Sequence, residues 1–269
     1  MERYRLKNII ILILVLVNGF LLVSLAMRGA SSRSARATAE EQLVALLAAD
    51  GVALDPDIIS YETPPDSLSV TRDQELERRA AAALLGSPLT SSDQGGGITT
   101  YTGGRGAAMF RASGEFEASG TLAAEDSVEV CRSFCRAFGY AEPEFRLDDG
   151  GSGTGSAVCL WDGMRVFNCT LSFTLSEGRL TAVSGTLLSE RMEPLAEEQE
   201  PLSATAALTA FQRVRRESAA VVSSITEMEL CYMLQNSATA AVILQPCWRI
   251  VTNTGEYYVN CSTGMVTVP

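Results

Sequence analysis

The sequence predicts an α+β fold: a single N-terminal transmembrane helix, then two lobes of antiparallel sheet with helices packed on one face of each. Three observations predict it. The run Ile9–Met27 is 19 residues long and carries no charge, close to the roughly 20 apolar residues that a helix needs to cross a bilayer core. Beyond it, a capped amphipathic helix followed by short strands occurs three times, beginning near residues 73, 125 and 203. Helices followed by runs of antiparallel strands pack as a sheet covered on one face. The third is bulk: 269 residues with 46% hydrophobic content suffice for one or two domains with a buried core.

The elements follow in order. Residues 1–8 form a short tail with Arg3, Arg5 and Lys7, expected in the cytoplasm. The span covers 9–27, with the polar Asn18 beside Gly19 near its middle. A polar side chain in hydrocarbon seeks a partner, and a small neighbour lets another helix approach, so Asn18 and Gly19 are the candidate contact within the membrane. A cleaved signal peptide is the alternative, with Ser24-Leu25-Ala26 as its small-x-small site. The run exceeds the usual h-region of about 7–15 residues, which favours an anchor. Basic residues flank the span equally, with Arg28, Arg33 and Arg36 on the far side, so charge alone leaves orientation balanced. Residues 28–37 are small and polar, a linker.

Two lobes are expected beyond it, 38–124 and 125–269. Thr38-x-x-Glu41 opens a helix as a capping box, with Leu43, Leu46 and Leu47 on one face and Gly51 at its end. Ile58–Val70 reads as loop and short strand. A second helix covers about Asp73–Leu85, with Leu76, Ala80, Ala83 and Leu84 on one side. Ser91–Gly97 reads as loop, and strands follow at 98–102, 107–113 and 115–122. Glu125–Phe138 is the clearest helix, with Val128, Cys131, Phe134 and Cys135 as an apolar stripe and Gly139 beyond its end. Strands come next at 144–147, 157–161, 165–175 and 179–188, turned by Asp162-Gly163 and Glu177-Gly178. Glu190–Pro201, rich in glutamate with two prolines, reads as a solvated linker. Ser203 caps a last helix to about Arg216, and strands follow at 225–235, 240–252, 256–261 and 265–268.

Composition removes whole classes of chemistry. With no histidine, there is no Ser-His-Asp triad, no Cys-His pair and no His-ligated zinc. The motifs GxSxG, SxxK, Walker A and HExxH are all missing from the sequence. No catalytic residue, cofactor or metal is therefore expected. Paired carboxylates keep a cell-wall hydrolase open as a remote alternative. One lysine and a net charge of −11 argue against nucleic acid as a partner. Residues 1–36 hold six basic groups and Glu2, a net +5, so the remainder carries −16.

Seven cysteines raise the question of oxidation outside the membrane. Cys131 and Cys135 share the apolar helix stripe and read as core. A three-residue loop centred on Thr254 sets Cys247 opposite Cys261, the candidate disulfide; reduced, buried thiols are the alternative. Cys159 and Cys169 flank the Asp162-Gly163 turn out of register.

The C-terminal third holds Ser203 and its helix, Ile225–Tyr232, Pro246-Cys247-Trp248-Arg249-Ile250, and Tyr257-Tyr258-Val259-Asn260-Cys261-Ser262-Thr263-Gly264-Met265-Val266. This resembles the YycI/YycH-type regulatory domain, which is related to PepSY-like modules, with Cys261 where that pattern usually has alanine. At the other end, Arg5-Leu6-Lys7-Asn8-Ile9-Ile10 running into a single span also resembles YycI. The resemblance implies a bitopic, extracytoplasmic α+β protein without catalytic residues. Its implied partners are a membrane sensor histidine kinase of the cell-wall two-component system and a YycH-like protein, met partly through the membrane helix. A PepSY-like envelope module that binds a peptide or inhibits a protease through its sheet edge is the alternative.

Overall fold

The computed structural model describes residues 38–123, 126–195, 200–236 and 242–268. The tail, span and linker expected over 1–37, with Asn18 and Gly19, lie outside the described residues. Among the described residues, no helix is long and apolar enough to cross a membrane.

The described chain opens with helix α1 (38–49), strand β1 (Ala53–Leu54) and strand β2 (Leu68–Val70). Three units follow, each a helix and four strands. The first is α2 (Gln74–Leu85) with β3 (Thr90–Gly95), β4 (Ile98–Gly103), β5 (Gly106–Phe110) and β6 (Glu115–Ala123). The second is α3 (Ser127–Ala137) with β7 (Glu144–Leu147), β8 (Gly153–Trp161), β9 (Met164–Ser176) and β10 (Arg179–Thr186). After β11 (Met192–Pro194), the third is α4 (Ala204–Ser218) with β12 (Ser224–Asn236), β13 (Val242–Thr252), β14 (Gly255–Asn260) and β15 (Val266–Thr267). The repeat expected from element order is thus present in the fold.

Local chemistry sets these elements. Asp73, Asp126 and Ser203 cap the three helices by accepting backbone N–H groups of the first turn, which otherwise have no partner. Asp162-Gly163 has φ of 49° and 79°, and Glu177-Gly178 has 52° and 74°. Positive φ at both central residues is the two-residue hairpin turn whose twist matches the flanking strands. Each unit's strands form an antiparallel meander. β6 pairs with β10, which fuses the first two meanders into one sheet in the order β3-β4-β5-β6-β10-β9-β8-β7. The third joins where β12 runs parallel beside the first half of β9, Tyr232 opposite Val166.

Two large cores result. The first lies between the fused sheet and helices α2 and α3. Its rings run Phe110–Phe116 at 5.1 Å and Phe116–Phe134 at 6.3 Å, so residues on either side of 124 share it. The second gathers Leu47 of α1, Leu208 and Phe211 of α4, and Trp248, Ile250 and Val259 of the third sheet. Asp50 ties α1 to α4, accepting from Arg216 Nε at 2.7 Å, while its carbonyl accepts from Arg215 Nη2 at 3.0 Å. The first core thus spans residues on both sides of 124 and also takes in Tyr232, Val242 and Leu244 of the third unit, while α1 packs with the third unit in the second core.

Two expectations need correction. Ser91–Gly97 is mostly strand: β3 is an edge strand exposed along its whole length, so it shows no apolar alternation to read. The acidic stretch after Glu190 contributes β11, which pairs with β2; residues 196–199 lie outside the described residues. Pro246 sits inside β13, between the residues that pair with β2 (Val242–Leu244) and those that pair with β14 (Cys247–Thr252), where a missing N–H costs least.

Candidate functional site

The third sheet buries both faces, and its second face holds the densest cluster of ionisable groups. Side chains alternate across a strand. One face of β13 therefore turns Trp248 and Ile250 toward α4, and the other turns Gln245, Cys247 and Arg249 away. Register lines up rows across three strands: Glu229–Arg249–Tyr258, then Cys231–Cys247–Asn260.

Arg249 is the centre of the first row. Its side chain is 11% exposed, so its five donors need partners nearby. Nη1 donates to Glu229 at 2.8 Å and Glu227 at 3.2 Å. Nε and Nη2 grip Glu256 at 3.1 and 2.5 Å, a bidentate pair. The Tyr258 hydroxyl also donates to Glu256, at 2.6 Å. These bonds, Arg249 first and Tyr258 second, hold the Glu256 carboxyl down to about 2. Burial, then the bond to Glu256, pushes the Tyr258 phenol up. Three carboxylates surround the Arg249 guanidinium, and Arg165 adds a second positive charge near Glu256.

The second row is apolar and sulfur-rich. Cys231 and Cys247 are buried, their sulfurs 3.4 Å apart. Tyr258 stacks on Phe167 of β9 with ring centroids 3.8 Å apart, roofing the row from the neighbouring unit. Asn260 closes it: its amide donates to Gln245 at 2.5 Å and its Oδ1 accepts from Ser262 and Thr263 N–H at 2.9 Å. The Thr263-Gly264 turn is thus organised from the buried Asn260.

Cys247 and Cys261, the expected disulfide, are not opposed. Thr252 pairs with Gly255 across a two-residue turn, Asn253-Thr254, which sets Cys247 opposite Asn260. One residue of register moves a side chain to the other face, and Cys261 lies in the α4-side core while Cys247 lies on the opposite face. Cys131 and Cys135 sit in the first core, and burial pushes both thiols up to about 12. Cys159 opposes Val166, but β9 bulges after it, which brings Cys169 back within reach of Cys159. Cys169 Sγ donates to the Thr186 carbonyl at 3.1 Å, which the Tyr140 hydroxyl also reaches. Trp248 is fully buried and donates from Nε1 to the Leu202 carbonyl at 2.8 Å.

Sequence reasoning missed the Arg249 cluster. Glu227 and Glu229 at period two, facing an arginine in the partner strand, were the available signal. Elsewhere, a groove of about 420 Å³ runs between residues 59–64 and the start of α4, and a cleft of about 450 Å³ separates α2 from α3. Among the described residues, no three Cys, Asp or Glu side chains gather as a metal site.

No family model matches the chain, and no curated protein matches it. Several solved structures resemble it. An uncharacterized protein from Eubacterium rectale aligns over 82% of this chain and 91% of its own, at 12% identity and a TM-score of 0.45. The YpeB C-terminal domain of Bacillus megaterium aligns over 74% and 98%, at 12% identity and 0.37. YycH from Bacillus subtilis aligns over 77% of this chain and 56% of its own, at 12% identity and 0.39. At such identities and scores these likenesses assign no family and carry no function.

Proposed function

We propose that the chain is a non-enzymatic, membrane-anchored regulator of a two-component sensor histidine kinase that controls cell-wall metabolism. Its N-terminus is cytoplasmic and its α+β region extracytoplasmic, and a YycH-like protein is its second partner. The observation that carries this reading is the uncharged run Ile9–Met27, with Asn18 at its middle, ahead of a C-terminal third that resembles the YycI/YycH-type domain. Within the Arg249 cluster, the bonds to Arg249 and Tyr258 hold Glu256 down to about 2, away from the neutral range where a general acid or base works. A regulator acts by binding one kinase state better than another, and packing within the bilayer supplies that difference.

Asn18→Leu should weaken co-purification of the full chain with the kinase while the circular dichroism of the α+β region stays unchanged. Undiminished association would overturn the membrane-helix mechanism. A second reading is favoured by β3, an edge strand with all six residues exposed. In it, a PepSY-like envelope module adds a peptide strand at that edge. Replacing 9–27 with an unrelated span separates the two: the edge-binding activity survives the exchange and the kinase regulation does not.

A further inference from the structure

We propose that Cys231 and Cys247 form the chain's structural disulfide, closing the β12–β13 hairpin on the face away from α4. The two residues are directly opposed in antiparallel strands, and their sulfurs lie 3.4 Å apart. Directly opposed residues have Cβ atoms about 4.5–5.5 Å apart, and a disulfide asks for about 3.5–4.5 Å. A small approach of the strands with rotation about both Cα–Cβ bonds closes that gap. Among the described residues, no other two cysteines are register partners in adjacent strands. Cys131 and Cys135 share one helix, whose backbone holds such neighbours about 5–6 Å apart at Cβ. Cys159 meets Cys169 only across the β9 bulge, and its register partner is Val166. Cys261 lies on the other face of its sheet.

The step is an exchange with a protein or low-molecular-weight disulfide. The thiolate of one cysteine attacks that disulfide, forming a mixed disulfide and releasing one thiol. The second thiolate then attacks the protein sulfur of the mixed disulfide and releases the second thiol. The two electrons reduce the oxidant, and the two cysteine protons pass by way of solvent to the departing thiolates. Phe167 and Tyr258 roof the pair, so exchange belongs to the stage before β9 docks on β12, and the finished bond is shielded from reductant. The bond lies one residue from Tyr232, which pairs with Val166 of β9, and so stiffens the strand that joins the third unit to the first core. The pairing rests on register alone; only the oxidising compartment rests on the proposed extracytoplasmic placement.

The test uses the full chain in detergent, reduced and unfolded, then refolded in a glutathione redox buffer and alkylated. Cleavage after arginine leaves Cys231 and Cys247 together in Glu217–Arg249 and Cys261 in Ile250–Pro269. The expected result is an unalkylated Glu217–Arg249 peptide, two hydrogens lighter than the dithiol, with Ile250–Pro269 alkylated. Alkylation of both Cys231 and Cys247, or a cross-link between the two peptides, overturns the pairing. A parallel sample has its thiols trapped at harvest from the native membrane. The same light peptide there supports the bond in the cell. Alkylated thiols there, against a linked refolded sample, overturn the extracytoplasmic placement and leave the pairing standing.

Discussion

The first core and the third unit bury a sheet in different ways. In the first, the strands alternate: along β9, Leu171, Phe173 and Leu175 are buried and their neighbours face water. Only one sheet face meets helices. In the third, β13 is buried at every position from Pro246 to Ile250, because α4 and α1 cover one face there while Phe167 of the neighbouring unit covers part of the other. The difference has a chemical consequence. Polar side chains on a sheet face open to water are satisfied by solvent, but those on a covered face need partners within the protein. Arg249 therefore gathers three glutamates, and Asn260 gathers Gln245 and two backbone N–H groups.

The largest effect should come from the second core, beneath the third unit. Trp248→Ala removes a fully buried ring and leaves the Leu202 carbonyl without its donor. Such truncations cost about 3–5 kcal/mol. In this variant Trp161, packed against the first core, is the remaining tryptophan. Its fluorescence should report a denaturant midpoint little changed, while circular dichroism shows an earlier loss of the third unit. A Trp161 signal that collapses together with the circular dichroism at the lower midpoint would show that the two regions are one cooperative body.

Arg249 tests the covered face. Arg249→Met keeps bulk but removes the guanidinium that joins Glu227, Glu229 and Glu256, leaving Arg165 as a cation near Glu256. The pair is only partly sheltered, with Glu256 36% exposed. The expected loss at neutral pH is therefore about 2 kcal/mol, between the values for exposed and buried pairs. The pH dependence has a definite sign. Glu256 is lowered from 4.5 to about 2 in the folded protein, so its contribution is fully present above the unfolded value and is lost as pH falls through the folded one. The gap in unfolding free energy between parent and variant should be widest at pH 7 and shrink between about pH 4.5 and 2. A gap independent of pH would mean that Arg249 acts through packing alone.

What the sequence revealed follows the same division. Helices α2 and α3 were legible because an apolar stripe ends at a glycine stop, Gly86 and Gly139, and α4 because the Ser203 cap precedes an apolar stripe. The order of helix and strands in each unit was legible too. The pairing of α1 with α4 was not, because Asp50 and Arg216 are distant in sequence and their contact depends on the fused sheet returning the chain. β3 was missed for want of any apolar period. The Cys247 register failed by one residue at a turn whose length the sequence leaves open, and that residue exchanges the two faces. The Arg249 cluster was hidden because its partners come from three strands, while each strand alone reads as ordinary alternation.

A smaller effect is expected at the polar end of the first core. The buried Tyr140 hydroxyl donates to the Thr186 carbonyl, which also accepts from Cys169. Tyr140→Phe keeps the ring and leaves that carbonyl one donor, so the expected loss is about 1 kcal/mol. Urea titration should show a lower midpoint with unchanged slope.

The smallest effect completes the comparison between ion pairs in water and beneath a sheet. Arg78 and Glu75 lie one turn apart on α2, bonded at 2.9 Å with side chains 64% and 58% exposed. Each bond to Glu75 replaces one that water supplies equally well, and holding two long side chains in one geometry costs entropy. Arg78→Gln should therefore leave the denaturation midpoint within error of the parent at both low and high salt, whereas Arg249→Met should not. A loss at Arg78 comparable to that at Arg249 would mean that coverage of the third sheet's second face adds nothing to the ion pairs beneath it, and the contrast between the two regions would reduce to shape.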